Sequence, residues 1–273
     1  MDVGLLRDAI TVLLGFAMGV LSGLFGVGGG VISQPGMRLL GLEPLIVIGT
    51  ALPVIIPGAA SGSRRYWNEG LIRFPAVAAT VPAGLVAAVV GSLAAEHVPG
   101  DGHLLQLLTA ALLLLSSYRM ASGSSAVPAD EPLAETDAPE APTHPPDGTD
   151  SAWRCAGIGL VAGGLSGLLG IGGGVIMVPA FVYFVRMEVK AAIATSLVCV
   201  GLFAIPGAIT HSLLGHVDWR VAAALIVGVI PGARVGASLA IRASDRRLRV
   251  TVATFLAITA VIYAAAELTA LTT

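Results

Sequence analysis

The feature that most limits how this chain can fold is a series of apolar runs, several of them about 20 residues long. A helix of that length crosses the roughly 30 Å of hydrocarbon in a bilayer. Lipid offers the backbone no hydrogen-bonding partner, so uninterrupted apolar runs of this length predict membrane helices. The runs cover residues 5–24, 29–41, 45–63, 74–95, 103–120, 155–170, 173–185, 190–214, 219–241 and 250–271. We therefore predict an all-α polytopic membrane protein.

Composition supports a bilayer as the main partner. Of the 273 residues, 55% are hydrophobic and 12% are charged, whereas soluble domains carry about 25% charged residues. The first apolar run lacks a basic leader and is expected to remain a membrane helix. Cys155 and Cys199 lie in or beside apolar runs without metal-type spacing, so we interpret them as apolar filler. No catalytic triad, carboxylate pair, metal cluster or phosphate loop is visible, which predicts no enzyme activity, no cofactor and no nucleic-acid partner.

A segment of different composition divides the chain. Residues 121–152 contain six prolines and seven of the 17 acidic residues, and no Lys or Arg occurs from 120 to 153. Such a segment buries too little apolar surface to offset its ordering entropy, so we predict a disordered linker. The predicted organisation is a first membrane repeat (1–120), this linker (121–152) and a second membrane repeat (153–273).

The two hydrophobic halves are copies of one unit. Residues 22–35 read SGLFGVGGGVISQP and residues 166–179 read SGLLGIGGGVIMVP, with ten of 14 positions identical at an offset of 144. At an offset of 145, Thr50-Ala51-Leu52 matches Thr195-Ser196-Leu197. A match that keeps its register over this distance indicates an internal duplication.

Loop charge predicts that the two copies have opposite orientations. Loop 64–73 holds three arginines, loop 242–249 holds four and loop 96–103 holds none, so the first two should face the cytoplasm. They join the third to the fourth run in one half and the fourth to the fifth run in the other. The fold class is therefore predicted as two inverted-topology repeats of about five membrane segments each, 8–10 in total. Both termini should lie outside, and the linker should lie in the cytoplasm.

The duplicated glycine motif is the leading candidate for a substrate site. Three consecutive glycines interrupt each helix, and the N–H groups of the short helix that follows favour an anion. Inverted repeats place such sites near the midplane, where the halves meet. The alternative is that the glycines only permit tight helix crossing. The candidate residues are Gly26, Gly28, Gly29, Gly30, Gly170, Gly172, Gly173 and Gly174.

Polar and charged residues in the apolar runs complete the candidate site. Arg234 lies inside run 219–241, where it either neutralises an anion or extends to the surface. The hydroxyls of Thr50, Thr195 and Ser196 either bind substrate oxygens or satisfy their own helices. Gln34 follows the first glycine motif and is a further donor, and His211 is a candidate for proton coupling or a plain interfacial residue. Hinge or kink positions are predicted at Pro35, Pro53, Pro57, Pro179 and Pro206.

The doubled S-G-L-x-G-x-G-G-G-V-I-x-x-P motif resembles the TauE/SafE family of sulfite exporters, also called toluene sulfonate uptake permeases. The run Arg64-Arg65-Tyr66-Trp67-Asn68-Glu69-Gly70 resembles that family's basic-aromatic loop. The resemblance covers both halves and implies transport of sulfite, thiosulfate or small organosulfonates across a bacterial inner membrane. It also implies an ion gradient, of protons or sodium, as the driving force. An anion channel of the same architecture, and a membrane scaffold or sensor acting through the linker, are the alternatives. The sequence leaves the oligomeric state open.

Overall fold

The structure is a computed structural model that describes residues 3–95, 103–122, 148–170 and 172–272. All regular secondary structure in these ranges is helical, as predicted. Each apolar run corresponds to one helix. The ten helices are α1 (Val3–Phe25), α2 (Gly30–Leu39), α3 (Pro44–Trp67), α4 (Phe74–Ala95), α5 (His103–Ser122), α6 (Gly148–Leu169), α7 (Gly174–Phe184), α8 (Val189–Leu213), α9 (Trp219–Arg242) and α10 (Asp245–Thr272).

Helix length and composition agree with a polytopic membrane protein. Within the described residues, six helices are long and apolar enough to cross a bilayer: α1, α3, α4, α6, α8 and α9. The second helix of each repeat is short, with 10 residues in α2 and 11 in α7. At 1.5 Å per residue these two helices span only about half of the hydrocarbon layer.

Helices α5 and α6 include the first and last residues of the predicted linker. Helix α5 continues to Ser122 and α6 already begins at Gly148, so residues 121–122 and 148–152 are helical rather than disordered. Residues 123–147, the rest of the predicted linker, lie outside the described residues.

Each short helix turns back along the helix that precedes it. The guanidinium of Arg7, near the start of α1, donates a hydrogen bond to the carbonyl oxygen of Leu40 at the end of α2, over 3.2 Å. In the second repeat Arg154 of α6 donates to the carbonyl of Phe184 at the end of α7, over 3.3 Å. The pairs α1–α2 and α6–α7 are therefore hairpins, and the glycine motif forms the tip of each.

The two repeats interleave instead of forming separate bundles. A Cβ added at Gly15 or Gly19 of α1 would lie 2.3 and 2.4 Å from the carbonyl oxygens of Leu225 and Val229 in α9. Helix α6 lies on α4 in the same way, because a Cβ at Gly163 would come within 2.1 Å of the Gly84 carbonyl. Glycine lets the helix backbones touch. The first helix of each repeat thus packs along the fourth helix of the other.

The α1–α9 and α4–α6 contacts join equivalent residues of the two repeats. The contact of Gly19 with Val229 is equivalent to the contact of Gly163 with Gly84, because Gly163 is the counterpart of Gly19 at the offset of 144 and Val229 is the counterpart of Gly84 at the offset of 145. A reciprocal arrangement of this kind is what a two-fold relation between the repeats produces. Helices α3 and α8 pack against each other between the two outer pairs, and α5 packs on α10. The centre of the molecule is therefore the α3–α8 pair.

Candidate functional site

The two glycine motifs form sharp turns rather than gaps in continuous helices. Gly26, Gly28 and Gly29 have φ angles of 69°, 83° and 81°. Their counterparts Gly170, Gly172 and Gly173 have φ angles of 65°, 88° and 70°. These values lie in the left-handed region, which costs glycine little and residues with a Cβ considerably more. We call the segments 26–30 and 170–174 the first and second glycine breaks.

The structure brings the two glycine breaks into direct contact. A Cβ on Gly174 would lie 2.3 Å from the carbonyl oxygen of Gly26 and 2.7 Å from the Cα of Val27. A Cβ on Gly172 would lie 3.4 Å from the Val27 carbonyl. The backbones of the two breaks therefore meet without intervening side chains at these points.

Two equivalent side chains of the central helices lie against both breaks. A Cβ on Gly28 would come within 2.3 Å of Val200 Cγ1 and 3.4 Å of Ile55 Cγ2. For Gly172 the corresponding distances are 2.8 Å to Val200 Cγ1 and 3.3 Å to Ile55 Cδ1. Ile55 is the twelfth of 24 residues in α3, and Val200 is the twelfth of 25 in α8. The breaks therefore meet at the mid-length of the central helices.

The geometry leaves two helix N-termini at this point. Gly29 and Gly173 are the N-cap residues of α2 and α7, and neither helix has a side-chain cap. The first N–H groups of a helix have no intrahelical acceptor and carry its positive end. The glycines on both sides of the contact are buried. Chemically, this arrangement suits a small anion held by backbone N–H groups in a place shielded from water.

The threonine hydroxyls among the candidate residues contact loops. Thr50 Oγ1 accepts a hydrogen bond from the backbone N–H of Asp218, over 2.9 Å, and Thr195 Oγ1 accepts from the N–H of Arg73, over 3.1 Å. Ser196 is different, because its hydroxyl lies 3.0 Å from the Gly26 carbonyl and 3.1 Å from the Ile193 carbonyl. Of these three hydroxyls, only that of Ser196 therefore bonds to a residue of a glycine break.

Arg234 belongs to α9 and is exposed. One turn before it, the carbonyl of Ile230 accepts a hydrogen bond from Ser61; one turn after it, Ser238 accepts from Arg65 over 3.4 Å. Among the residues that the structure describes, no hydrogen bond or ion pair is made by Arg234. It is not among the groups nearest to the break glycines, so it does not line the contact between them.

The remaining candidates lie on the helices around the breaks. Pro53 and Pro57 lie within α3, Pro206 within α8 and Pro179 within α7, and each helix continues through its proline. Gln34 and Pro35 belong to α2, but their side chains lie outside the described residues. His211, near the end of α8, is buried, with its ring centroid 5.7 Å from that of His216. Cys155 and Cys199 are free and buried.

Two serines that the sequence interpretation did not single out also lie at the breaks. Ser22 and Ser166 occupy the first position of the duplicated motif, and their carbonyls accept hydrogen bonds from the N–H groups of Gly26 and Gly170, over 2.8 and 2.9 Å. Both side chains are buried, with exposures of 1% and 0%. Their place in the repeated motif was the signal available in the sequence.

Comparison with known proteins gives one family and several relatives. The family described as Sulfite exporter TauE/SafE matches residues 11–263. A probable membrane transporter protein of Bacillus subtilis, YunE, is 30% identical over 250 residues, covering 84% of this chain and 87% of that protein. A probable membrane transporter protein of Xylella fastidiosa is 28% identical over 234 residues, covering 85% and 83%. YjnA of Bacillus subtilis, of the same description, is 26% identical and covers 90% and 95%. No solved structure matches.

Proposed function

Because this chain belongs to the TauE/SafE sulfite exporter family, which its sequence matches over residues 11–263, we propose that it is a secondary transporter of a small sulfur-containing anion. Its role in membrane transport, and not in enzymatic catalysis, follows from the family and from the relatives. The proposed substrates are sulfite, thiosulfate or an organosulfonate, carried across a bacterial inner membrane. The proposed driving force is a gradient of protons or sodium.

The observation that carries this proposal is the meeting of two uncapped helix N-termini at mid-length of α3 and α8. Two positive helix ends in one buried place favour one anion and disfavour a cation. The donors would be the backbone N–H groups around Gly28, Gly29 and Gly30 and around their counterparts Gly172, Gly173 and Gly174. Glycine is suited to this role because it lets a ligand approach the backbone closely.

The burial of the breaks favours a carrier over a channel. The glycines at the contact are buried, and Ile55 and Val200 pack against them. An anion therefore reaches the breaks only if the hairpins α1–α2 and α6–α7 shift against the central helices. Inverted repeats support such motion, because the contacts of one repeat can be exchanged for the equivalent contacts of the other. The reciprocal contacts and the loop arginines support the inverted orientation, with both termini outside and the linker 121–152 on the cytoplasmic side.

The other candidate residues receive roles around this centre. Ser196 positions the first break through the Gly26 carbonyl, while Thr50 and Thr195 hold the loops that enclose the site. Arg234 would supply positive charge for the anion, and Gln34 of α2 would supply an amide donor. Pro53, Pro57 and Pro206 would let the central helices bend during the cycle, and Pro35 and Pro179 would do so for the short helices.

The test is flux of radiolabelled sulfite and thiosulfate in proteoliposomes, with and without imposed pH and sodium gradients. We expect accumulation above electrochemical equilibrium when the coupling gradient is imposed, and none after the gradient is collapsed. Flux that stops at equilibrium under every gradient would mean an anion channel. No flux of either anion or of an aryl sulfonate, by folded protein, would contradict the proposed function.

The scaffold alternative has its own discriminating experiment. Deleting residues 123–147 removes most of the acidic segment and leaves the bounds of α5 and α6 intact. We expect this variant to transport at the rate of the full chain. Loss of flux with normal folding would instead assign the acidic segment an essential part in the protein's activity.

A further inference from the structure

The glycine breaks are each preceded by a buried serine whose hydroxyl is unsatisfied. Ser22 Oγ and Ser166 Oγ are buried and have no hydrogen-bond partner. An unsatisfied buried hydroxyl destabilises the folded protein. Buried polar groups of this kind are rare in native proteins, and each one calls for a physical reason.

Four other hydroxyls in the helices of this protein avoid that cost. Thr11, Ser212, Thr251 and Thr259 each donate to the carbonyl four residues earlier, over 2.8, 2.5, 2.8 and 2.8 Å. That is the ordinary behaviour of a helical serine or threonine. Ser22 and Ser166 have the same option in the carbonyls of Met18 and Ala162, yet they do not use it. Their protons therefore remain available to another acceptor.

Ser22 lies beside the N-terminus of α2, and the helix turn that precedes Ser166 lies beside the N-terminus of α7. A Cβ on Gly29, the N-cap of α2, would lie 3.6 Å from the Cβ of Ser22 and 3.5 Å from the carbonyl of Met18. In the second repeat a Cβ on Gly173, the N-cap of α7, would lie 2.4 Å from the carbonyl of Ala162, one turn before Ser166. Equivalent residues of the preceding helix, Met18 and Ala162, therefore lie against the N-cap glycine in the two repeats.

Equivalence distinguishes these two serines from the other unsatisfied hydroxyls. Ser63, Thr80 and Ser92 also have buried hydroxyls without a partner. At the offset of 145 their counterparts are Ala208, Leu225 and Ala237, which have no hydroxyl. Ser22 and Ser166 are counterparts of each other at the offset of 144. Within the described residues, they are the unsatisfied hydroxyls that both repeats place at the same point.

We propose that Ser22 and Ser166 donate hydrogen bonds to the transported oxyanion, one at each glycine break. This inference rests on the proposed function and adds side-chain donors to the backbone N–H groups of α2 and α7. The ligand class is a small oxyanion with several acceptor oxygens, because a hydroxyl and a backbone N–H at different positions donate hydrogen bonds to different oxygens. A hydrogen bond to a charged group contributes about 1.5–3 kcal/mol, so each serine affects the affinity for the anion by about tenfold or more.

The test compares Ser22→Ala and Ser166→Ala with the wild-type protein. The measurements are the KM for sulfite flux in proteoliposomes and the sulfite-induced rise in Tm in detergent. We expect KM to increase about tenfold in each variant. The Tm without sulfite should stay equal or rise, because alanine removes an unsatisfied polar group.

Ser117→Ala is the matched control. Ser117 is a buried serine whose hydroxyl donates to the carbonyl of Ala253, over 2.9 Å, in the contact between α5 and α10. Its removal should lower the Tm and leave the KM for sulfite unchanged, the opposite of the Ser22 and Ser166 variants. If an alanine variant fails to fold, Ser22→Cys or Ser166→Cys replaces it, because a thiol is a weak donor of similar shape.

Three results would overturn the assignment. The first is a sulfite KM within twofold of wild type in both variants, which would leave the proposed function standing. The second is a changed dependence on sodium with unchanged sulfite affinity, which would make the hydroxyl oxygens ligands of a cation. The third is a wild-type protein that moves no sulfur oxyanion, which would remove the proposed function and this inference together.

Discussion

Thr50 in α3 accepts a hydrogen bond from the backbone N–H of Asp218, 2.9 Å away and 168 residues later in the chain. The same bond recurs between Thr195 in α8 and the N–H of Arg73, over 3.1 Å. Both partners follow the offset of 145, because 50 becomes 195 and 73 becomes 218. Each threonine thus connects, by a hydrogen bond, the central helix of one repeat to the loop before the fourth helix of the other repeat.

Replacing either threonine by valine should destabilise the protein. Valine preserves the shape of the side chain but removes the acceptor, so the N–H of Asp218 or Arg73 loses its partner. We expect a loss of about 1–3 kcal/mol in the free energy of unfolding, measured by denaturant unfolding in detergent. Thr251→Val is the control, because Thr251 is exposed and its hydroxyl bonds to its own helix at Arg247. A loss as large in the control as in Thr50→Val would contradict the prediction.

The glycine at the N-cap of α2 should be needed for transport beyond its effect on the backbone. Gly29 and Gly41 have φ angles of 81° and 83°, so alanine strains both positions equally. Nothing lies within 4 Å of a Cβ on Gly41, whereas a Cβ on Gly29 would face Met18 and Ser22 at the break. We expect Gly29→Ala to raise the KM for sulfite at least fivefold and Gly41→Ala to leave it unchanged.

Thermal stability separates these two glycine variants from a general folding defect. Both variants should lose a similar amount of stability, about 1 kcal/mol, because alanine is equally strained at the positive φ angle of each position. The informative quantity is therefore the ratio of their KM values at matched Tm. Equal KM values for Gly29→Ala and Gly41→Ala would show that the first break does not form part of the anion site.

Close contact between helix backbones should make Gly163 intolerant of any side chain. A Cβ on Gly163 would lie 2.1 Å from the carbonyl oxygen of Gly84, whereas nothing lies within 4 Å of a Cβ on Gly157 in the same helix. Gly163→Ala must separate α6 from α4, which we expect to cost at least 2 kcal/mol. Gly157→Ala should be neutral or stabilise the helix by up to about 1 kcal/mol.

The comparison of Gly163→Ala with Gly157→Ala is best read from the yield of monodisperse protein and from Tm. A lower Tm for Gly163→Ala alone is the expected result. Similar Tm values for the two variants would mean that α4 and α6 are not in backbone contact. The equivalent substitution Gly19→Ala, in the contact of α1 with α9, provides an independent repeat of the measurement, since its Cβ would lie 2.4 Å from the Val229 carbonyl.

The helices of this protein could be predicted from its sequence because apolar runs and glycines determine them locally. The run 29–41 became α2 (Gly30–Leu39), and the run 219–241 became α9 (Trp219–Arg242). The predicted limits of the linker were less accurate, since apolarity does not report the polar first turn of α6. The pairing of α1 with α9 was not predictable, because it depends on glycine contacts between segments about 200 residues apart.

The candidate site was predictable in its backbone and less so in its side chains. The duplicated glycines pointed to two helix breaks, and the structure brings these breaks together. Thr50 and Thr195 stood out as a matched polar pair, but the backbone N–H groups that they bind are invisible in a sequence. Ser22 and Ser166 were not among the predicted site residues, and a helical serine normally bonds to its own helix. Whether such a hydroxyl is satisfied depends on its three-dimensional surroundings.

Arg234 should influence the anion through its charge. It is exposed on α9, and no hydrogen bond or ion pair to it is found in the part of the chain that the structure describes. A charge eight residues from the end of a membrane helix costs a few kcal/mol unless it meets water or an anion. We expect Arg234→Gln to raise the KM for sulfite about tenfold at low ionic strength, and Arg234→Lys to preserve it within threefold. The difference should shrink as salt screens the charge.

The matched control for Arg234 is another exposed arginine of the same helix. Arg220 lies at the start of α9 and pairs with Asp8 over 3.1 Å, with 74% of its side chain exposed. Arg220→Gln removes one positive charge from the protein, as Arg234→Gln does, but at the other end of the helix. Flux measured at three salt concentrations should show a salt-dependent change in KM for Arg234→Gln alone. An unaltered KM in Arg234→Gln, or an equal change in both variants, would make Arg234 an interfacial residue outside the anion pathway.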